Sequence, residues 1–143
     1  MGRTIAGIVA GIVAAFATIW ALEMVHHLVY PIPGNVRLTD MDRLREFTRS
    51  LPLVSQLFIA GGWLLGTAVG GSVAALVSRR EGTILVVAAL VAIAGLLNVL
   101  WLPHPLLLQI ASVAAPALGV LIARALVRGR LAGQAAPAAA EAG

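Results

Sequence analysis

The sequence predicts an all-α membrane protein, a bundle of four transmembrane helices with a short amphipathic helix in the first loop. Of the 143 residues, 60% are hydrophobic and only 11% are charged, whereas soluble domains are about 45–50% apolar and about 25% charged. A chain of this length cannot bury so much apolar surface in one water-soluble core. In addition, four apolar segments each reach the roughly 20 residues that a helix needs to cross a bilayer.

The four predicted spans cover residues 4–30, 53–78, 83–102 and 106–127, and they form one membrane domain over residues 1–128. Turn-forming residues separate the spans, because proline ends a helix or occupies its first turn. The breaks are Pro31-Ile32-Pro33-Gly34, Ser50-Leu51-Pro52, Arg79-Arg80-Glu81-Gly82 and Pro103-His104-Pro105. Beyond the last span, the composition of residues 129–143 predicts a disordered, alanine-rich tail.

The first loop contains a pattern typical of an amphipathic helix. Thr39-Asp40-Met41-Asp42 has the Thr-x-x-Asp form of a capping box. Apolar residues then recur at spacings of three and four, while charged residues occupy the other faces; the apolar ones are Met41, Leu44, Phe47 and Leu51. We expect a helix at the outer membrane interface, which either anchors the loop or forms a lid over the bundle.

The basic residues, all of them arginine, predict the orientation. Six lie at one side of the predicted membrane domain: Arg3, Arg79, Arg80, Arg124, Arg128 and Arg130. Four lie at the other side: Arg37, Arg43, Arg45 and Arg49. Because cytoplasmic loops carry the excess of basic residues, we expect both termini in the cytoplasm. The sequence pI of about 11.4 therefore indicates topology and a lipid-bilayer partner, and no nucleic acid.

Glycines at four-residue intervals predict close helix packing. Gly62, Gly66 and Gly70 follow this spacing in the second span, and Gly7 and Gly11 follow it in the first. Lipid tails are as apolar as leucine, so small residues that let backbones approach are what bring helices together in a bilayer. Two interpretations remain open, packing within the chain and association with a second copy or a larger membrane complex.

A set of polar residues within or beside the spans marks the candidate site. Glu23 is the one acid inside a span, and His26 and His27 follow it on the same helical face. A charged residue at the bilayer centre costs about 2.5–3.5 kcal/mol on insertion scales, so it is by default a candidate for function. The further candidates for a ligand or proton site, all in the predicted outer half, are Gln56, Asn98, His104 and Gln109.

Three interpretations of this polar set compete. Glu23 pairs with a histidine or with Asn98 and stabilises the bundle, or it responds to a proton or cation in an outward-facing pocket. Alternatively, Glu23, His27 and His104 hold a divalent metal, since two histidines and a glutamate form a known zinc site with an open position for water.

The motif Glu23-x-x-x-His27-x-x-Tyr30-Pro31-x-Pro33-Gly34, followed by Asn98 and Pro103-His104-Pro105, resembles a group of small bacterial four-span inner-membrane proteins. The resemblance covers the chain to about Val127. It implies a four-span fold and a location in the bacterial inner membrane, and it implies no activity. It also marks Glu23, His27, Asn98 and His104 as motif positions.

These features favour a binding protein over an enzyme. The chain has no cysteine, which excludes a thiolate nucleophile or metal site, and it has no Ser/His/Asp set, phosphate loop or cofactor fingerprint. The leading prediction is an outward-facing Glu/His pocket for a cation, proton or small ligand, in a transport role. The alternatives are a non-catalytic accessory subunit of a larger membrane complex and, third, an enzyme with a metal-activated water.

Overall fold

The computed structural model describes residues 1–31, 33–34, 39–102 and 104–140, the last ten of these by their backbone alone. Those ranges contain five helices and no strand. The helices are α1 (Gly2–Val29), α2 (Met41–Ser50), α3 (Leu53–Ser78), α4 (Thr83–Trp101) and α5 (Leu106–Ala140). Arg37, Pro103 and residues 141–143, on which some sequence predictions fall, lie outside the described residues.

Four of the helices are long and apolar enough to cross a membrane: α1, α3, α4 and the Leu106–Arg130 part of α5. This confirms the four predicted spans, whose ends agree with the helix ends to within a few residues. The backbone of α5 remains helical to Ala140, beyond the predicted end of the fourth span near Val127. Disorder of residues 129–143 stays a prediction.

The helix α3 is the centre of the bundle. It packs against α1, α4 and α5, while α4 also contacts α1 and α5. The helices α1 and α3 are antiparallel, because Arg3 donates to the Val77 carbonyl at one end (2.8 Å) and His26 meets Ser55 at the other. The tight turn into α4 begins at Arg79, whose φ of 57° places it in the left-handed region.

The contact between α1 and α3 depends on residues without bulky side chains. A Cβ added to Gly70 would lie 2.5 Å from the carbonyl oxygen of Gly11 and 2.6 Å from the Cβ of Ala15. Added atoms at Gly7 and Gly66 would collide in the same way, with Ser78 and Ile19 respectively. The glycine faces of the two helices therefore pack against each other within one chain.

Two glycines depart from the sequence prediction. Gly62 has room for a Cβ, whose nearest neighbour would be Leu22 at 3.9 Å, so close packing does not require glycine there. Gly119 in α5 is not among the predicted packing residues, yet a Cβ there would lie 2.7 Å from the Cβ of Thr67. Gly119 does not belong to a four-residue repeat, so the sequence does not identify it as a packing residue, although it allows α5 to approach α3 closely.

Polar contacts connect the helices at the end of the bundle that carries Arg3 and Arg124. Arg124 in α5 pairs with Glu81 in the α3–α4 turn, with 3.1 Å between Nε and Oε1. The side chains of Ser78 and Thr83 lie 3.0 Å apart across the same turn. The N-terminus of α1, the turn and the arginines of α5 thus share one end of the molecule, as the predicted topology requires.

The helix α2 confirms that the first loop contains a short helix, but its cap differs from the predicted one. Asp40 is the N-cap, and its Oδ1 accepts a hydrogen bond from the backbone N–H of Arg43 at 3.2 Å. The predicted capping box began one residue earlier, at Thr39. Aspartate is as good a cap as threonine, and here it also pairs with the Arg43 side chain at 3.4 Å.

We predict that Gly70→Ala destabilises the bundle by about 1–3 kcal/mol, because the added methyl meets backbone that cannot move aside cheaply. The measurement is unfolding of the purified protein in detergent micelles by added sodium dodecyl sulfate. The matched control is Gly61→Ala in the same helix, where an added Cβ meets nothing within 4 Å. Its stability should be unchanged or raised, since alanine favours helix by up to about 1 kcal/mol. Equal effects of the two substitutions would contradict the packing described.

Candidate functional site

His26 joins α1 to α3 near the end opposite Arg3 and Arg124. Its Nε2 lies 2.6 Å from the hydroxyl oxygen of Ser55, which is fully buried. The ring stacks on Tyr30 at 5.3 Å between centroids and lies against Phe58 at 5.8 Å. With these contacts, His26 serves to pack α1 against α3. Ser55 is not among the predicted site residues, because a serine in an apolar helix carries no signal until its partner is known.

His27 and His104 each bond a nearby backbone carbonyl. The Nδ1 of His27 lies 2.7 Å from the carbonyl oxygen of Glu23, and that of His104 lies 2.9 Å from the carbonyl oxygen of Leu102. A carbonyl oxygen only accepts, so Nδ1 carries the proton in both rings.

Gln56 and Gln109 make the same type of hydrogen bond at the N-termini of two helices. Each follows a proline by four residues, and its side-chain amide donates at 2.9 Å to the carbonyl of the residue before that proline, Leu51 or His104. The residue before a proline is held in extended conformation, as Leu51 is with ψ at 126°, so its carbonyl needs a partner outside the regular helix ladder. Both glutamines therefore fix the entry of a helix.

The three proposed metal ligands are not brought together. In the part of the chain that the structure describes, no group of three His, Cys, Asp or Glu side chains lies close enough to hold a metal ion. Glu23, His27 and His104 therefore do not form the predicted set within one chain.

A cleft of about 340 Å³ lies between α1 and α4, with Trp63 of α3 as its floor. Both helices line it with residues at spacings of three, four and seven, which is one face of an α-helix. The lining residues of α1 are Phe16, Ile19, Trp20 and Glu23, and those of α4 are Val91, Ala94, Gly95 and Asn98. Glu23 and Asn98 are thus found at the same end of the cleft.

The two walls of the cleft differ in size and the two ends differ in polarity. On the α1 side, Phe16 and Trp20 supply large aromatic rings, whereas α4 contributes the small side chain of Ala94. Gly95 lines the cleft with its backbone, since a Cβ there would face Ser112 of α5. The carboxylate and the amide lie at the end opposite Arg3 and Arg124. Glu23 precedes the last residue of α1 by six positions, or about 9 Å along the helix axis.

The carboxylate of Glu23 is free to interact with a ligand. Among the described residues it makes neither a hydrogen bond nor an ion pair, and its side chain is exposed to the cleft. His26 is bonded to Ser55 and does not pair with Glu23. His27 lies near enough to interact electrostatically with the Glu23 carboxylate, but the two side chains form no direct ion pair. Asn98 lies across the cleft without a hydrogen bond to Glu23.

A second groove differs from this cleft in having an entirely apolar lining. It lies between α3 and α5, has a volume of about 380 Å³ and is lined by Leu, Ala, Gly and Ile side chains alone. Among the residues that the structure describes, no charged or amide side chain lines it. Of these two grooves, the one between α1 and α4 is therefore the candidate functional site.

No protein-family model, curated protein or solved structure matches the chain. The resemblance to small bacterial four-span proteins stays a prediction. Function is therefore inferred from the chemistry of the cleft itself.

We predict that Ser55→Ala destabilises the bundle by about 0.6 kcal/mol and by at most about 1.7 kcal/mol, the average and the maximum measured for hydrogen bonds between membrane helices. The loss arises because His26 keeps its buried position without a partner for Nε2. Ser72→Ala is the matched control, since the Ser72 hydroxyl donates to the Ala68 carbonyl of its own helix. Unfolding in mixed micelles measures both. A loss no larger for Ser55→Ala than for Ser72→Ala would show that the His26–Ser55 bond does not hold α1 against α3.

Proposed function

We propose that the protein is a small multi-pass protein of the bacterial inner membrane that binds a cationic ligand at Glu23, in the cleft between α1 and α4, and has a transport role. The observation that carries this proposal is the carboxylate of Glu23, which lies within a membrane-spanning helix and faces a cleft. Among the described residues the carboxylate makes no hydrogen bond or ion pair, and His27 interacts with it only through space. Intramembrane acids are rare and are typical of ion and substrate pathways.

The charge balance of the cleft favours a cation or proton as the occupant. A negative charge away from water is costly unless an opposite charge accompanies it. Asn98, across the cleft, is neutral and supplies only an amide donor and acceptor. Because the residues that the structure describes include no three-ligand set, a single positive charge matches the site better than a divalent metal does.

The proposed orientation places both termini in the cytoplasm and Glu23 in the outer half of the bilayer. The clustering of Arg3, Arg124 and the α3–α4 turn at one end supports it, since basic residues favour the cytoplasmic side. At the other end, the exposed Trp101 and the half-buried Tyr30 fit the headgroup level, where such rings are enriched. The charged helix α2 then lies at the outer interface.

The alternative of an accessory subunit has less support. That interpretation used the glycine faces of the first two spans for contact with another protein, and these faces are occupied within the chain. A homodimer or a larger membrane complex would have to use a different surface, such as the apolar groove between α3 and α5.

We predict that dicyclohexylcarbodiimide, an apolar reagent for protonated carboxyl groups, labels Glu23 of the full chain in lipid vesicles. Peptide mass spectrometry should find the adduct on Glu23, absent in Glu23→Gln and retained in Glu46→Gln, the control acid in α2. Labelling should slow at least about threefold when a bound cation replaces the proton. The cations to be tested are sodium, potassium, tetramethylammonium and methyltriphenylphosphonium.

Two results would contradict the proposed site. One is a folded protein whose Glu23 does not react. The other is a Glu23 that reacts at the same rate with and without every cation tested. A carboxylate that serves only in packing binds no cation, so added cations would not change its labelling rate.

A further inference from the structure

We infer that the ligand of this cleft is a lipophilic organic monocation, held with its charge between Glu23 and Asn98 and its apolar part among the aromatic rings. This inference rests on the proposed cation site and names the class of molecule that the site accepts. Volume, wall chemistry and the polarity of the two ends support it separately.

The volume of the cleft indicates an organic molecule. At about 340 Å³, it falls within the range of about 300–1,000 Å³ that is typical of small-molecule sites. A bare metal ion or a proton would occupy a small part of this space and would leave the aromatic walls without a function. The small side chain of Ala94 on the α4 wall leaves room beside the rings.

The walls of the cleft favour a positive charge on an apolar body. Trp20, Trp63 and Phe16 line the cleft, and the aromatic ring of tryptophan attracts cations by about 0.5–2 kcal/mol, most strongly when water is excluded. Trp63 is only 6% exposed and so forms a fixed floor, whereas Trp20 is 65% exposed at the side of the cleft. A strongly hydrated cation would lose its water against these rings and recover little in return.

The polarity of the cleft sets the orientation of the ligand. Glu23 and Asn98 end the two lining faces, and Phe16 and Val91 begin them, seven residues or about 10 Å deeper. The ligand is therefore expected to be amphipathic, with its charged group towards the loop end and its apolar part towards the bilayer centre. Glu23 is the one carboxylate among the described lining residues, so a single positive charge balances the cleft better than a double one.

The experiment measures equilibrium binding of radiolabelled methyltriphenylphosphonium to the purified full chain in detergent. Triphenylphosphine oxide, which has the same three rings and no charge, and tetramethylammonium, which has the charge without rings, serve as competitors. We expect saturable binding of one probe per chain, displaced poorly by either competitor.

Substitutions assign the binding to the cleft. Glu23→Gln should weaken it about 10- to 100-fold, as expected for the loss of a charge-assisted contact. Trp20→Leu should weaken it about 3- to 30-fold. The matched controls are Trp101→Leu, which removes an even more exposed tryptophan (79%) outside the cleft, and Glu46→Gln. Both should bind as the unmodified protein does. Because Trp20 is exposed, its replacement tests the aromatic wall without removing part of the core.

The outcomes separate this inference from the proposal on which it rests. Absent binding, equal binding to Glu23→Gln, or equal displacement by the neutral oxide would overturn the lipophilic cation as the ligand. If sodium or tetramethylammonium still slows carbodiimide labelling of Glu23 in that case, the cation site stands and only the ligand class is wrong. If no cation slows the labelling, the cation site itself is wrong.

Discussion

The close contact between α1 and α3 is the constraint from which the rest of the structure follows. Small residues recur every four positions on both helices, and the backbone of Gly11 lies where a side chain on Gly70 would otherwise be. This contact fixes the rotation of α1 about its own axis. The face that carries Trp20 and Glu23 lies roughly 100° or more around the helix from the glycine face. It therefore points towards α4 and forms one wall of the cleft.

The physics of the bilayer explains why so few polar contacts suffice. Helices in lipid gain little from burying apolar surface, so backbone approach and hydrogen bonds decide which faces meet. Here the contacts lie at the two ends, with Arg3 on the Val77 carbonyl at one and His26 on Ser55 at the other. The helices α1 and α4 contact closely beside Gly11 and Val87, and the space further along their length is the cleft.

Much of the fold could be predicted from the sequence because hydropathy and span length are local properties, and the repeats of Gly7, Gly11, Gly66 and Gly70 are visible as spacing. Partners across helices could not be predicted, since they depend on helix register. Ser55 and Gly119 acquire their roles only from His26 and Thr67. The roles of the two glutamines had a signal that could have been used, the repeated Pro-x-x-x-Gln pattern. The sequence shows that Glu23 is the one acid within a predicted span. It does not show which residues of α4 lie across the cleft from it.

The central claim is that Glu23 faces Asn98 across a cleft within one chain. The chain has no cysteine, so Glu23→Cys and Asn98→Cys can be combined and joined with a short bifunctional maleimide in lipid vesicles. The control pair replaces Val25, two residues along α1 and on another face, together with Asn98. The structure predicts a cross-linked monomer for the Glu23 pair and little product for the Val25 pair. Equal cross-linking of both pairs, or linkage only between chains, would contradict the account.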